Sequence, residues 1–353
     1  MKTSVSRYGL FDGPGQLTTT TQFPTGGPSI WFNYDYDLDG QRTASGTAAG
    51  TWVGRAYNSR HEVKEVQQRG GVPILWVGDT RNLAGEPTTI TNYAGVRDDL
   101  AYDGAGRRTY RQTIRNSGSV NLLLRRYGYN LRDAQVWTTR DDGYGDTYEY
   151  FPDLQLNRYR YSVWRPDLNF WNPAGWTDTF AYDQAGNRTA LNENGAVTSY
   201  SANALNQYTS ITGLAVNHAD GRGNLTQLGG WTYVYDADNR LKQASTTGNT
   251  MEFFYDPEGR LTRVNRNGIP EYRYYDWGQC FLRTQADGTW IDFMIWGPTP
   301  DELTSRWDAA HGGWMFFHHT PVNSPDLATD IGGNVVERYL YDPFGAPDIR
   351  DLR

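Results

Sequence analysis

The 353-residue chain has a single cysteine, Cys280. That excludes an intrachain disulfide framework and leaves an intermolecular bond or a buried free thiol. Long hydrophobic runs are missing as well. No stretch approaches the roughly 20 apolar residues of a membrane helix. The N-terminal MKTSVSRYGLFDGPG has no apolar core of a signal peptide. A basic excess is absent too: the net charge is −7 and the arginines form no run. Phosphate contacts need clustered Lys and Arg, so nucleic acid is not an expected partner. Heptads and long amphipathic helical patterns do not occur. Hydrophobic residues make up only 38%, and mean hydropathy is −0.71. What is abundant is Tyr (25), Trp (13) and Gly (39). This balance points to a polar all-β protein with aromatic buried faces and frequent turns.

One phrase returns along the chain. It reads FDGPGQL from Phe11, YDLDGQR from Tyr36, YDGAGRR from Tyr102 and YDQAGNR from Tyr182. Later copies are YDADNRL from Tyr235, YDPEGRL from Tyr255 and YDPFG from Tyr341. Weaker copies begin at Tyr57, Tyr129 and Tyr200, and NHADGRGNL begins at Asn217. Upstream of the phrase aromatics alternate, as in Trp231, Tyr233 and Tyr235, which is the period of a strand. The Asp side chain accepts a bond from the N–H two residues on and starts a turn. Pro257 suits the second turn position. Gly259, three residues after Asp256, suits a left-handed backbone, and Asn239 takes that place after Asp236. Gly40, Gly106 and Gly186 hold the same place after Asp37, Asp103 and Asp183. Each unit therefore reads as a β-hairpin. The 20-residue spacing from Tyr235 to Tyr255 and on to Tyr275 fits two strands of about 6 to 7 residues plus two turns. The pattern loosens over 67–100 and 138–176. A repeat of this kind decides the fold before any single residue does, and it favours a scaffold or a binding surface.

These phrases resemble the YD repeats of the RHS family, which includes bacterial polymorphic toxins, toxin-complex shell subunits and teneurins. The C-terminal stretch from Phe316 to Pro347 resembles the RHS-repeat-associated core. It keeps His318, Ala328-Thr329-Asp330, Gly333, Val335, Val336, Arg338, Tyr339 and then Tyr341, Asp342, Pro343, Phe344 and Gly345. It departs over Thr320 to Pro325, where the family has D-x-x-G-S, so an altered turn is expected. FMIWGPTPDEL from Phe293 resembles the W-G-P segment that precedes the core. The resemblance implies repeats over 1–292, a core segment over 293–353, and a β-ribbon coiled into part of a shell. In toxin members such a shell encloses an effector. The family's self-cleaving segment, roughly D-P-x-x-G-x-x-x-G-x-D-P-x-G, has no matching positions here, so its catalytic residues are not carried over.

Sites of chemistry are hard to find. His318 and His319 are adjacent, with His311 nearby, but neighbours on a strand point to opposite faces and no zinc spacing accompanies them. Asp141, Asp142, Asp146 and Glu149 lie close together, as a carboxylate pair for glycoside hydrolysis would, yet carboxylates here usually cap turns. DADGRGNL at Asp220 lacks the oxygen pattern of a calcium loop. GRGN and GPG do not lead from a strand into a helix, as a phosphate loop would. Cys280 has no His partner. The arginines Arg42, Arg108, Arg188, Arg240 and Arg260 follow their turns and are expected to lie in register, pairing with Asp or stacking on Tyr.

The expected fold is all-β: stacked YD-repeat hairpins forming one continuous, curled antiparallel sheet, a partial RHS-type shell. The expected function is non-catalytic, with no cofactor or metal. Its partners would be further RHS-repeat sequence or an enclosed effector domain, and the setting secreted or cell-surface as part of a longer protein. Open strand edges make the segment prone to pairing or poor solubility on its own. The alternatives are a module binding a cell-surface glycan or protein through Trp164, Trp171 and Trp176, and a hydrolase on a β-repeat scaffold.

Overall fold

The computed structural model describes residues 6–11, 16–24, 26–47, 52–69, 76–168 and 175–352. Residues 12–15 of the first phrase, and Trp171, lie outside the described residues. Among the described residues the regular elements are β-strands, apart from a single 3-10 turn at Pro166–Leu168. Strands pair antiparallel in chain order. Ser6–Phe11 pairs with Leu17–Phe23, which pairs with Ile30–Tyr36, which pairs with Arg42–Thr47. The same meander continues to Tyr208–Ile211, giving an 18-stranded sheet. A second sheet of 14 strands runs from Val216–Asn217 to Pro347–Asp351.

One continuous sheet was the expectation, and the structure has two. The ladder narrows after Ile211 to a single bridge, Ile211↔Leu214. The next strands, Val216–Asn217 and Gln227–Leu228, are two residues each. Gly213, Gly221, Gly223 and Gly229 all take positive φ there, which breaks extended pairing.

The repeated phrase forms one local structure. At Asp256 the backbone N–H donates to Arg260 O (2.9 Å), and Gly259 N–H donates to Asp256 O (3.0 Å). Gly259 has φ +83°. The flanking ladder shifts by one residue between Phe254 and Tyr255. This is a turn closed by a glycine bulge, which adds twist to each hairpin. The Asp carboxylate does more than was expected. Asp37 Oδ1 accepts from Asp39 N–H (3.1 Å) and also from Gln41 N–H, four residues on (2.8 Å). The hairpins continue where the phrase loosens. Asn82 Oδ1 accepts from Ala84 and Glu86 N–H at 3.0 Å each. In the core segment Thr320 Oγ1 accepts from Ser324 N–H (3.2 Å), and Asn323 takes φ +59°. The departure at Thr320 thus keeps the turn, with a hydroxyl in place of the carboxylate.

The ribbon then curls. The second sheet follows the first in the same direction: Tyr275 meets Gln22, Asp276 meets Arg42, His318 meets Asp98 and Asp326 meets Arg111. The largest core cluster joins Phe32, Tyr34, Val53, Val66 and Trp76 of the first coil to Tyr274, Phe281, Leu282, Phe293 and Phe316 of the second. Phe32 and Phe281 meet edge-on at 4.4 Å.

A Cβ on Gly259 would meet nothing within 4 Å, so substitution there tests the backbone alone. Gly259→Ala is expected to cost about 1–2 kcal/mol through its left-handed conformation. Gly278→Ala, equally uncrowded and without positive φ, is expected to stay within about 0.5 kcal/mol. Urea unfolding midpoints of the two variants measure the difference.

Candidate functional site

The repeat tyrosines act as latches. Tyr255 Oη donates to Leu241 O (2.8 Å), Tyr275 Oη to Leu261 O (2.7 Å) and Tyr57 Oη to Arg42 O (2.9 Å). Tyr36 reaches Leu17 O, Tyr102 reaches Pro87 O, Tyr235 reaches Leu225 O and Tyr341 reaches Pro325 O. Each acceptor stands six residues after the aromatic position of the preceding phrase. One hairpin is therefore bonded to the start of the return strand in the hairpin before it. Where the tyrosine is missing, Arg81 Nη2 makes the same bond to Val63 O (2.7 Å). At Tyr182 no such bond is seen; its ring packs edge-on against Phe151 at 6.3 Å. Burial pushes up the phenols of Tyr102, Tyr235, Tyr255, Tyr275 and Tyr341, the last two to about 12. They stay protonated donors at any physiological pH.

The turn arginines fall into two sets, against the expectation of one register. Arg240 and Arg260 stand five residues after their tyrosines, and Arg107 shares that place. Each clasps its own Asp (Asp236, Asp256 or Asp103). Each also donates to a carbonyl of the following turn: Asp256 O, Trp277 O and Asn130 O. Their guanidinium groups lie 5.0, 5.4 and 4.9 Å from the ring centres of Tyr255, Tyr275 and Tyr129. Arg42, Arg108 and Arg188 stand one residue later. On a strand that step reverses the face. These three reach the other coil: Arg42 bonds Asp276 (2.7 Å), Arg108 bonds His319 O (2.9 Å), and Arg188 lies 4.3 Å over the Phe344 ring.

Between the coils lies a buried ionic cluster that the repeats did not announce. Arg111 is 1% exposed. Its guanidinium meets Asp98 at 3.3 Å, Asp326 at 3.5 Å and His319 O at 2.8 Å. Arg125 binds Asp326 with two bonds, 2.9 and 3.1 Å. His318 Nδ1 lies 2.8 Å from Asp98 Oδ2, and its Nε2 lies 3.3 Å from Thr329 Oγ1. Arg338 Nη2 donates to Leu122 O (3.2 Å). Burial alone would raise the Asp98 and Asp326 carboxyls. The groups beside them, His318 and Arg111 for Asp98, Arg125 and Arg111 for Asp326, hold both below the usual range. Burial, with Arg111 nearby, pushes His319 down to about 3, so it stays neutral. The cluster pairs its charges with one another.

Other predicted groups sit apart. Asp37, Asp103, Asp183, Asp236, Asp256 and Asp342 cap their own turns. Gly40, Gly106, Gly186 and Gly345 take positive φ. Tyr339 bonds Glu337, and Phe344 packs on Phe180 at 5.1 Å. Pro343 lines a cavity between the coils. Glu149 is paired with Arg158 and Arg160. Burial pushes the Cys280 thiol up to about 12, which keeps it from acting as a thiolate. Trp164 and Trp176 are exposed.

No protein-family model matches the chain. Its whole length superposes on the crystal structure of TcdB2-TccC3-Cdc42 with a TM-score of 0.79 at 14% identity, covering 21% of that chain. It superposes equally well on the Photorhabdus luminescens Tc holotoxin pore, with TM-score 0.79, 15% identity and 20% of that chain covered. The fold is that of an RHS-type YD-repeat shell. In sequence, this YD-repeat segment is 25% identical over 177 residues to the tRNA3(Ser)-specific nuclease WapA of Bacillus spizizenii. The same identity and length hold for the tRNA nuclease WapA of Bacillus subtilis. Each match covers 48% of this chain and 7% of the relative, so the chain spans a small part of either protein.

Breaking the cluster on one side strands a buried charge. Asp326→Leu is expected to cost about 3–5 kcal/mol, and adding Arg125→Met to recover most of it; denaturant unfolding of the single and double variants measures both. Acid weakens the seam in two steps. The unfolded chain protonates His319 below its ordinary 6.5 while the folded chain refuses until about 3, so stability falls as pH drops through that window. The depressed Asp98 and Asp326 add a loss below their ordinary 3.8. Buried Asp146 and Glu302 are pushed up and act in the opposite sense. His319→Phe isolates the first step: the difference between wild type and variant is expected to change by at most about 1.4 kcal/mol per pH unit between pH 6 and 4, read from unfolding midpoints.

Proposed function

We propose that this chain is a non-catalytic wall segment of an RHS-type shell, with partners in further repeat sequence and an enclosed effector domain. The observation that carries the reading is the pairing of two ribbon coils through a buried, charge-compensated seam. Its tyrosine latches bond backbone, its turn aspartates cap turns, and its buried cations are spent on buried carboxylates. These are the uses of a scaffold. On this reading Tyr36, Asp37, Gly40 and their equivalents in the later phrases are structural repeat positions. Residues 1–292 are the repeats and 293–353 the core segment. The WapA proteins are named as tRNA nucleases, but the shared segment is 7% of their length, and nuclease activity is not assigned to it.

Two measurements test this. Reading the genomic DNA around the coding segment is expected to reveal an in-frame continuation with the family's D-P-x-x-G segment and a variable domain. A stop after Arg353 with nothing joining upstream would overturn the shell-wall assignment. The purified chain is expected to turn over neither total tRNA nor a panel of glycosides. Turnover that disappears on replacing one carboxylate would overturn the non-catalytic role.

A further inference from the structure

Arg42, Arg111 and Arg125 each pair with a carboxylate of the second coil. Arg55 does not. Among the described residues no hydrogen bond or ion pair reaches its side chain, and its Nη1 is buried without a partner. The residue stands on strand Trp52–Tyr57, two places after buried Val53, and so on the same face. Directly opposite it on the paired strand is Val66, which is 0% exposed. The half-buried guanidinium is thus set against the core between the coils.

Two cations meet one carboxylate at this place. Asp276 is already taken: Arg42 Nη1 donates to it at 2.7 Å and Ser45 Oγ at 3.3 Å. Burial and the like charge of Arg42 push the Arg55 guanidinium down from its ordinary value; Asp276 and the Tyr57 phenol act in the opposite sense. Arginine keeps its proton in proteins, so one positive charge is left over. A charge taken out of water and left unmatched is costly. A buried N–H without an acceptor calls for an explanation.

A small cavity of about 20 Å³ lies against this group. That is room for one water-sized body and little more. Phe32 and Val53 of the first coil and Phe281 and Phe293 of the second give it an apolar wall. Its polar lining is Ser45, Arg55, Asp276 and Gln279. The Gln279 amide makes no side-chain bond among the described residues, so it offers a second donor. The size of the cavity excludes sulfate, phosphate and carboxylates. A cation would meet two guanidinium groups, and a water would leave the extra charge unmatched.

We propose that this cavity binds one chloride ion, held by Arg55 Nη1–H and the Gln279 amide, and that the ion ties the two coils together. The site does not depend on the shell assignment, and its tests do not read that assignment. Melting temperatures of wild type and Arg55→Met are compared in sodium chloride and in sodium gluconate, whose anion is too large for the cavity. Over a rise from about 10 mM to about 1 M chloride, the gap between the two is expected to move in favour of wild type by about 2 °C or more. In gluconate the gap is expected to stay constant. Arg55→Met is expected to fold at least as well as wild type there, because it removes the unmatched charge. A second measurement needs no variant: wild-type crystals grown in sodium bromide are expected to show an anomalous peak within hydrogen-bond reach of Arg55 Nη1. A gap that does not move with chloride overturns the proposal, as does a water without anomalous signal at that position. A bromide peak with no chloride dependence in solution marks an adventitious ion only and overturns it too.

Discussion

The hydrogen bond from a repeat tyrosine to the backbone of the preceding hairpin is the contact on which the ribbon depends. An isolated hairpin is marginal in water. Here the phenol of one unit bonds the first return residue of the unit before it, as Tyr255 does to Leu241. Each such bond is worth only about 0.5–1.5 kcal/mol, but it recurs from Tyr36 to Tyr341. The arginine five residues later adds a second tie, from its own Asp to the next turn. Nearest-neighbour bonds of this kind make a repeat array stable as a sum of its interfaces.

Local ties alone would give a ribbon. Curling needs contacts across more than 200 residues, and these are mostly polar. Gln22 bonds both backbone groups of Tyr275, and Arg42 bonds Asp276. Asp98, Arg111, Asp326 and His318 form a closed set with almost no exposure. A buried ionic set costs much desolvation and adds little net stability. What such a set resists is a shift of register, because sliding one coil on the other would leave Asp98, Arg111 and Asp326 buried without these partners. The aromatic cluster around Phe32 and Phe281 supplies the area buried.

Much of this was legible in the chain itself, because the turn phrase acts over a few residues. An Asp, a left-handed Gly or Asn three positions on, and alternating aromatics before them were enough for hairpins, for the all-β class and for the likeness to YD-repeat proteins. The two arginine sets were missed, because places five and six after the tyrosine read as one repeat position until the alternation of strand faces separates them. The carbonyl partner of each tyrosine was not visible, since every residue has a carbonyl. The break after Ile211 was not visible either, because short strands and glycine turns look like one more weak repeat. Least visible was the seam. Asp98, Arg111, Arg125 and Asp326 carry no motif, and their partners across the seam lie more than 200 residues away. Their burial and pairing exist only once the coil has closed, so local chemistry determined the hairpin and the tertiary structure alone decided which charges meet.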